Sequence, residues 1–240
     1  MSTSASSPSV VSPKQVAAER AVLYVQDGMT VGLGTGSTAA YAIVALARRV
    51  QAEGLRLRCL ATSEASAALA RAHGLPLMDW DSATRFDLSI DGADEADPQF
   101  RLIKGGGGAL VREKLVAAAT AREIIIVDTS KMVSALGAHP LPVALVPWAW
   151  PSTLARLEAR FGCQAALRRD AGGEPFRSDD GLLVADLRFP ALLPDPEALE
   201  PAVNATLGVV ECGLFIGLCH HLIVGHADGS LDELPAPAPT

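Results

Sequence analysis

Hydrophobic and polar residues alternate along the first half of the chain with two different periods. Segments with the 3.6-residue period of an amphipathic helix are separated by short apolar runs that are typical of buried strands. The predicted helices span about residues 13–25, 37–54, 63–74 and 109–120, and the predicted strands are TVGLG, LRLRCLAT, FDLSI and EIIIVD. Alternating strands and helices of this length predict a parallel sheet with helices on both faces.

After Ser130 the order of the elements changes. The pattern predicts a strand (LPVALVP), a helix (PSTLARLEARFG), two strands (CQAALRR and LLVADLRF), a helix (DPEALEPAVNATLG) and a strand (VVECGLF). This β-α-β-β-α-β order is typical of a ferredoxin-like unit. The last apolar run, HHLIVG, is expected to return to the first sheet.

The two patterns together predict an α/β fold: a doubly wound, Rossmann-like parallel sheet domain with an inserted smaller α+β ferredoxin-like domain. Residues 14–137 and 213–232 are expected to form the Rossmann-like domain. The ferredoxin-like domain is expected at 138–212, as a lid over the first. Residues 1–13 and 233–240 are expected to be disordered tails.

Composition narrows the range of partners. The 240 residues carry a net charge of −7 and only 5% are aromatic, which argues against a nucleic-acid-binding surface. No apolar run approaches the roughly 20 residues that cross a bilayer, and the first residues resemble neither a signal peptide nor a transit peptide. We therefore expect a soluble, cytoplasmic protein with no nucleic-acid or membrane partner.

The four cysteines form no CxxC pair and each lies in an apolar run, so we expect reduced, buried thiols. Cys219, His220 and His221 are consecutive, but neighbouring side chains of a strand point to opposite faces. They are not expected to bind one ion, and the sequence predicts no metal site.

Ligands of open α/β sheets bind beyond the carboxyl ends of the strands, so polar residues at those ends are candidates. The stretch GLGTGST places Gly34, Thr35, Gly36, Ser37 and Thr38 where a strand turns into a helix. Free N–H groups and the helix dipole there favour an anion such as phosphate. The stretch is neither a P-loop nor a dinucleotide fingerprint, and a tight turn with a helix cap explains the glycines about equally well.

A second candidate is the acidic stretch DLSIDGADEAD. Carboxylates this close repel one another unless they bind something or are solvated. An acidic surface turn is the better explanation for Glu95 and Asp97. Asp91 and Asp94 lie nearer the edge of the sheet and are candidates for binding sugar hydroxyls, because no histidine accompanies them at metal-ligand spacing.

The third candidate is KGGGGALVREKL, residues 104–115. Four glycines let the backbone approach a ligand closely, and Glu113 lies one turn into the following helix, where a carboxylate can act as a general base. Arg112 and Lys114 are expected to point elsewhere. From spacing alone, the commoner explanation is that Glu113 complements the helix dipole and pairs with a cation.

Taken together, VGLGTGSTA, DGADE, KGGGGALVREK and DTSK, followed by PLPV and GVVECGLF, resemble the ribose-5-phosphate isomerase type A family. The resemblance covers nearly the whole chain from about Lys14, although Gly108 stands where relatives usually carry alanine. It implies reversible conversion of D-ribose 5-phosphate to D-ribulose 5-phosphate through an enediolate, in the non-oxidative pentose phosphate pathway. It further implies no cofactor, no metal, and a homodimer or homotetramer.

The resemblance also implies roles for individual residues. Glu113 would move a proton between C2 and C1, and Lys104 would orient the reacting oxygens. Asp91 and Asp94 would contact the sugar hydroxyls and assist ring opening. The expected substrate-binding residues are Lys14, Gly34, Thr35, Gly36, Ser37, Thr38, Gly105, Gly106, Gly107 and Lys131.

Two other functions are compatible with parts of this pattern. One is a non-catalytic sugar-phosphate sensor, but such a regulator needs a DNA-binding segment, and the residues before the first strand supply at most one helix and a tail. The other is a CoA-transferase-like enzyme that uses a glutamate as nucleophile. Ketose formation would exclude the first, and an acyl adduct would reveal the second.

Overall fold

The computed structural model describes residues 12–193 and 195–236. Most of the tail predicted at residues 1–13 therefore lies outside the described residues, and the first helix begins at Pro13, where proline suits a first turn. This part of the chain contains the helices α1 (Pro13–Val22), α2 (Ser37–Glu53), α3 (Glu64–Ala72), α4 (Leu110–Ala118), α5 (Trp150–Phe161) and α6 (Pro196–Asn204), and a 3₁₀ turn at Thr129–Lys131.

The strands of the described residues are β1 (Thr30–Leu33), β2 (Arg58–Ala61), β3 (Leu88–Asp91), β4 (Glu95–Ala96), β5 (Leu102–Ile103), β6 (Glu123–Asp128), β7 (Leu141–Leu145), β8 (Gln164–Leu167), β9 (Leu183–Arg188), β10 (Val209–Cys212), β11 (Leu214–Phe215), β12 (His221–Gly225) and β13 (Leu231–Pro235). They form three sheets, in the orders β13-β12-β6-β3-β1-β2, β10-β7-β9-β8 and β11-β5-β4.

The six-stranded sheet is parallel except at β13, which pairs antiparallel with β12. Alternate residues of β6 pack on opposite faces of the sheet. Ile124 and Ile126 join the core beneath α1 and α2, whereas Ile125 and Val127 pack against α4 and the three-stranded sheet. Both faces are therefore covered, and the predicted doubly wound α/β sheet is confirmed.

The topology of this sheet creates a crevice. The chain runs from β1 outward to β2 and then returns to β3 on the other side of β1. The connections that follow β1 and β3 therefore leave in opposite directions. A crevice between such connections, at the carboxyl ends of the strands, is the usual ligand site of this fold.

The four-stranded sheet is antiparallel and carries α5 and α6 between its strands. Its strand order is that of a ferredoxin-like unit, so the predicted β-α-β-β-α-β order is confirmed. The predicted strand VVECGLF is divided in two, because Leu214 and Phe215 leave this sheet and pair with β5. The exact division of the chain into domains at 137/138 and 212/213 stays a prediction.

The end of the chain differs from the prediction. Residues 231–235 form β13, so the tail predicted at 233–240 is wrong in its described part. Glu233 accepts hydrogen bonds from Arg20 of α1 and from Tyr24, which follows that helix, and these polar contacts join β13 to the first helix and the turn after it. Residues 237–240 lie outside the described residues.

Two findings bear on the predictions from composition. All four cysteines are free and buried, as predicted. No helix among the described residues is long and apolar enough to cross a membrane.

Candidate active site

A pocket of about 120 Å³ lies at the crevice, where the loops after β1 and β3 meet the loop before α4. Its wall contains all of the predicted site residues except Gly34 and Asp91, together with Gly92 and Ala93. The predicted residues in the wall are Lys14, Thr35, Gly36, Ser37, Thr38, Asp94, Lys104, Gly105, Gly106, Gly107, Glu113 and Lys131. A larger cavity of about 500 Å³ between α3 and α4 contains none of them, so size alone does not identify the site.

Asp91 lies behind the wall of the pocket. It is 3% exposed, and its Oδ1 accepts hydrogen bonds from the N–H groups of Gly92, at 2.7 Å, and Thr35, at 3.0 Å. A Cβ atom at Gly34 would lie 2.1 Å from this oxygen, so only glycine leaves room for the carboxylate. Asp91 and Gly34 therefore lie behind the residues that line the pocket, and the substrate contacts that the sequence predicts for them stay predictions.

Three buried ionisable groups meet at the bottom of the pocket. Lys104 follows β5 and is 2% exposed. Its Nζ lies 3.0 Å from Asp91 Oδ2 and 3.4 Å from Glu113 Oε2, and it donates a hydrogen bond to the carbonyl of Gly92. Burial alone would lower the pKa of Lys104, but the two carboxylates outweigh it and raise the pKa above its usual value. The ammonium group is therefore charged at neutral pH.

Glu113 is a stronger base than an exposed glutamate. It lies in the first turn of α4 and is 4% exposed. Burial, together with the nearby carboxylates of Asp91 and Asp94, raises its pKa to about 8 against the opposing effect of Lys104. Among the described residues, no group donates a hydrogen bond to its Oε2. Such an oxygen, beside a fixed cation, is suited to accept a proton from a ligand.

Asp94 is on the glycine-rich side of the pocket. Its Oδ2 accepts a hydrogen bond from the N–H group of Gly106 at 2.7 Å. The side chain is 22% exposed, so Asp94 is more accessible to a ligand than Asp91. Asp94 and Glu113 thus present two carboxylates to the same pocket.

The opposite end of the pocket is suited to an anion. The first helical hydrogen bond of α2 runs from Ala40 N to Gly36 O, so the preceding amides of the helix have no helical acceptor. Lys14 Nζ donates to Ser37 Oγ at 2.9 Å, and Lys131 lies in the same wall. Two lysines beside a helix N-terminus favour a phosphate group. This is the position that the sequence predicts for an anion.

The neighbours of Glu113 in α4 point away from the pocket, as its helical spacing predicts. Arg112 pairs with Asp180 at 2.8 Å and Glu64 at 3.1 Å. Lys114 pairs with Glu200 and Glu211 at 2.7 and 2.8 Å. Within residues 12–193 and 195–236, no group of three or more His, Cys, Asp or Glu side chains is arranged to hold a metal ion.

Comparison with known proteins assigns the family. A family model described as ribose 5-phosphate isomerase A (phosphoriboisomerase A) matches residues 58–229. The chain belongs to this family. The ribose-5-phosphate isomerase A of Synechococcus sp. (strain JA-3-3Ab) is 50% identical over 218 residues, which cover 90% of this chain and 94% of the relative. That of Jannaschia sp. (strain CCS1) is 46% identical over 224 residues, covering 91% and 85%.

Solved structures of ribose 5-phosphate isomerases have the same fold. The enzyme of Methanocaldococcus jannaschii is 34% identical with a TM-score of 0.87, and the alignment covers 93% of this chain and 98% of that chain. The enzyme of Plasmodium falciparum is 33% identical with a TM-score of 0.89, covering 93% and 97%. This member of the ribose 5-phosphate isomerase A family is an aldose–ketose isomerase, so the sensor and CoA-transferase alternatives lose their support.

Four further residues in or beside the isomerase pocket are not among those predicted from the sequence. Gly92 and Ala93 directly follow β3, so their position at the carboxyl end of a strand was the available signal. Thr62 directly follows β2 at the same edge, and its hydroxyl lies 2.7 Å from that of Thr35. Arg168 reaches the glycine loop from the small sheet, and no local pattern marks it.

Proposed function

We propose that this pocket converts D-ribose 5-phosphate to D-ribulose 5-phosphate reversibly, with Glu113 as the base that moves the proton between C2 and C1. The observation that carries the proposal is the state of Glu113: a buried carboxyl group with a raised pKa, an Oε2 without a hydrogen-bond donor, and Lys104 at 3.4 Å. The family of the chain supports the same substrate and the non-oxidative pentose phosphate pathway.

In the proposed orientation, the 5-phosphate lies at the N-terminus of α2 between Lys14 and Lys131. The amides of Gly36, Ser37 and Thr38 and the hydroxyls around them supply further donors. Thr35 lines the same end of the pocket. The other end of the sugar then lies between the glycine loop and Lys104, which line the same pocket.

The reaction moves two protons and changes no oxidation state overall. Glu113 removes the proton from C2 of the open-chain aldose, and the electron pair forms the enediolate with negative charge on O1. Lys104 stabilises this charge without reorganisation, because it is already fixed by two carboxylates. Asp94 assists ring opening and the transfer of the hydroxyl proton from O2 to O1, and Glu113 returns its proton to C1. Asp91 holds Lys104 and the turn after β1.

We further propose that the reaction needs no cofactor or metal, that the protein works in the cytoplasm and that it forms a homodimer or homotetramer. These statements are supported by the family resemblance. Light scattering on the purified protein would measure the oligomeric state directly.

A direct assay tests the proposed function. Purified protein is incubated with D-ribose 5-phosphate, and the ketose is quantified with and without a chelator. We expect ribulose 5-phosphate at equal rates in both samples, and little product from unphosphorylated D-ribose, because the phosphate supplies much of the binding energy. Binding of ribose 5-phosphate without ketose would favour the sensor, and loss of activity with chelator would contradict the metal-free reaction.

The activity should depend on the ionisation of Glu113. Its raised pKa means that the fraction in the basic form increases as the pH rises towards about 8. We therefore expect kcat/KM to increase by about tenfold per pH unit well below this value, and to level off above it. Steady-state kinetics on the unligated enzyme, with fluorescence at each pH as a control for folding, would measure this. A flat profile across neutral pH would show that Glu113 is not the titrating base.

A further inference from the structure

The glycine loop, residues 105–108, is held by the small antiparallel sheet as well as by its own domain. Arg168 follows β8, and its Nη1 donates hydrogen bonds to the carbonyls of Gly105 at 2.9 Å and Gly106 at 3.0 Å. Lys104 and Glu113 lie in the segment that flanks this loop. The small sheet therefore contacts the glycine loop through this guanidinium group.

Arg168 is itself fixed in position. Its Nε donates to Asp186 Oδ2 at 2.9 Å, and its Nη2 donates to Asp186 Oδ1. A planar guanidinium that pairs with a carboxylate through two bonds has its orientation set. The remaining edge of Arg168 then points at the two loop carbonyls, so Asp186, the guanidinium and the loop form one continuous set of hydrogen bonds.

The other end of the loop is closed by Phe176, which follows β8 in the same hairpin. Gly108 has φ of +83°, and a Cβ atom there would lie 2.3 Å from Phe176 Cε1. The aromatic ring therefore occupies the space that an alanine methyl group would need. The Arg168 guanidinium lies 5.8 Å from the centre of the same ring. Two side chains of one hairpin thus hold both ends of the loop.

The glycine loop connects Arg168 to Asp94, which lies in the pocket. The N–H of Gly106 donates to Asp94 Oδ2 at 2.7 Å, and the carbonyl of the same residue accepts from Arg168. Rotation of the peptide planes around Gly106 would break both contacts together, because glycine offers little resistance of its own. Displacement of about 1 Å in such a site is enough to slow a reaction strongly.

We infer that Arg168 is a positioning residue for the isomerisation, which fixes the peptide planes of the glycine loop so that Gly106 holds Asp94 at the sugar. The kinetic part of this inference rests on the proposed function of the pocket. The structural part, that Arg168 orders the loop, is independent of the reaction.

Arg168→Met and Arg168→Lys are the test variants, and Arg169→Met is the matched control. Arg169 is the next residue and is exposed, and its side chain donates a hydrogen bond to the carbonyl of Gly173 within the hairpin. We expect Arg168→Met to lower kcat about 10- to 100-fold. We expect the inhibition constant of inorganic phosphate to stay within about twofold of the wild type, because the phosphate end uses other loops. Arg168→Lys, which keeps a cationic donor, should recover part of the loss, and the control should behave like the wild type.

Hydrogen–deuterium exchange separates positioning from general stability. In Arg168→Met the peptide that contains residues 105–108 should exchange faster, while peptides of β1, β3 and α2 exchange as in the wild type. Wild-type exchange and kcat in Arg168→Met would overturn the inference, as would faster exchange throughout the chain with kcat lost only in proportion to unfolding. If the wild type forms no ketose, the proposed function fails, and exchange at the loop still decides whether Arg168 orders it.

Discussion

Replacing Glu113 with glutamine is expected to lower kcat by about 10³- to 10⁴-fold and to leave KM for ribose 5-phosphate within a few-fold. Glutamine has the same shape as glutamate but cannot accept the C2 proton. The groups proposed to bind the phosphate, Lys14 and Lys131, are untouched by the change, so binding should persist. Steady-state kinetics, together with loss of the C2 hydrogen in D₂O followed by NMR, would measure the effect on the proton-transfer step itself.

The matched control is Glu19→Gln on α1, an exposed glutamate that accepts a hydrogen bond from Gln15. Stability gives a second readout. Since the folded-state pKa of Glu113 is raised, its ionisation weakens the fold as the pH rises towards about 8, and glutamine removes this loss. The variant should therefore melt at least as high as the wild type at alkaline pH. A kcat within about tenfold of the wild type would assign the base elsewhere, with Asp94 as the next candidate.

Replacing Lys104 with methionine should affect both turnover and stability. Turnover is expected to fall by about 10²- to 10³-fold, because the fixed charge beside the enediolate oxygens is lost. Removing one partner of a buried ion pair costs about 3–5 kcal/mol of unfolding free energy, since the charge that remains is unpaired. Here two carboxylates, Asp91 and Glu113, lose their common partner. Chemical denaturation and steady-state kinetics at pH 8 would measure both effects.

The pH dependence of the stability lost in Lys104→Met shows whether unpaired charge or a packing defect causes the loss. Lys104 lowers the pKa of Asp91 and Glu113, so without it burial raises both values further above those of the unfolded chain. The loss should then be largest at alkaline pH and shrink as the pH falls and both carboxyl groups bind protons. Lys14→Met removes a more exposed positive charge from the same pocket, and should raise KM with little effect on stability. An equal destabilisation at all pH values would indicate a packing defect instead of unpaired charge.

The sequence predicts the large elements of this fold because their burial is regular. The strands β1 and β3 are buried along their whole length and β6 along all but its last residue, and α2 and α5 have helical periods. Strands of two residues, such as β4, β5 and β11, are too short to show a period of alternating hydrophobic and polar residues in the sequence. β13 has the sequence LDELP, which is partly polar and mostly exposed, and it is held partly by contacts of Glu233. Its sequence pattern therefore resembles that of a loop.

The site residues are predictable where the order of the strands places them at one edge of the sheet. Thr35, Asp94 and Lys131 all follow strands of one parallel sheet, whose carboxyl ends meet at one edge. How deeply a side chain is buried in the site is not predictable in this way. The alternation of residues along β3 does not indicate that Asp91 is only 3% exposed and lies behind the pocket wall. Arg168 is about 60 residues from the loop it contacts and follows an edge strand in another sheet, so only tertiary packing reveals it.

Glu113 approaches the pocket from a single wall, on α4, and is almost closed to solvent. If it both removes and returns the proton, the hydrogen leaves and arrives on the same face of the planar enediolate, and the transfer is suprafacial. A deuterium placed at C2 should then appear at one stereochemically defined position on C1 of the ketose. Part of the deuterium appears there and part is lost to water. The ratio of these fractions compares the rate at which the enediolate is protonated with the rate at which Glu113, buried beside Lys104, exchanges its proton with water.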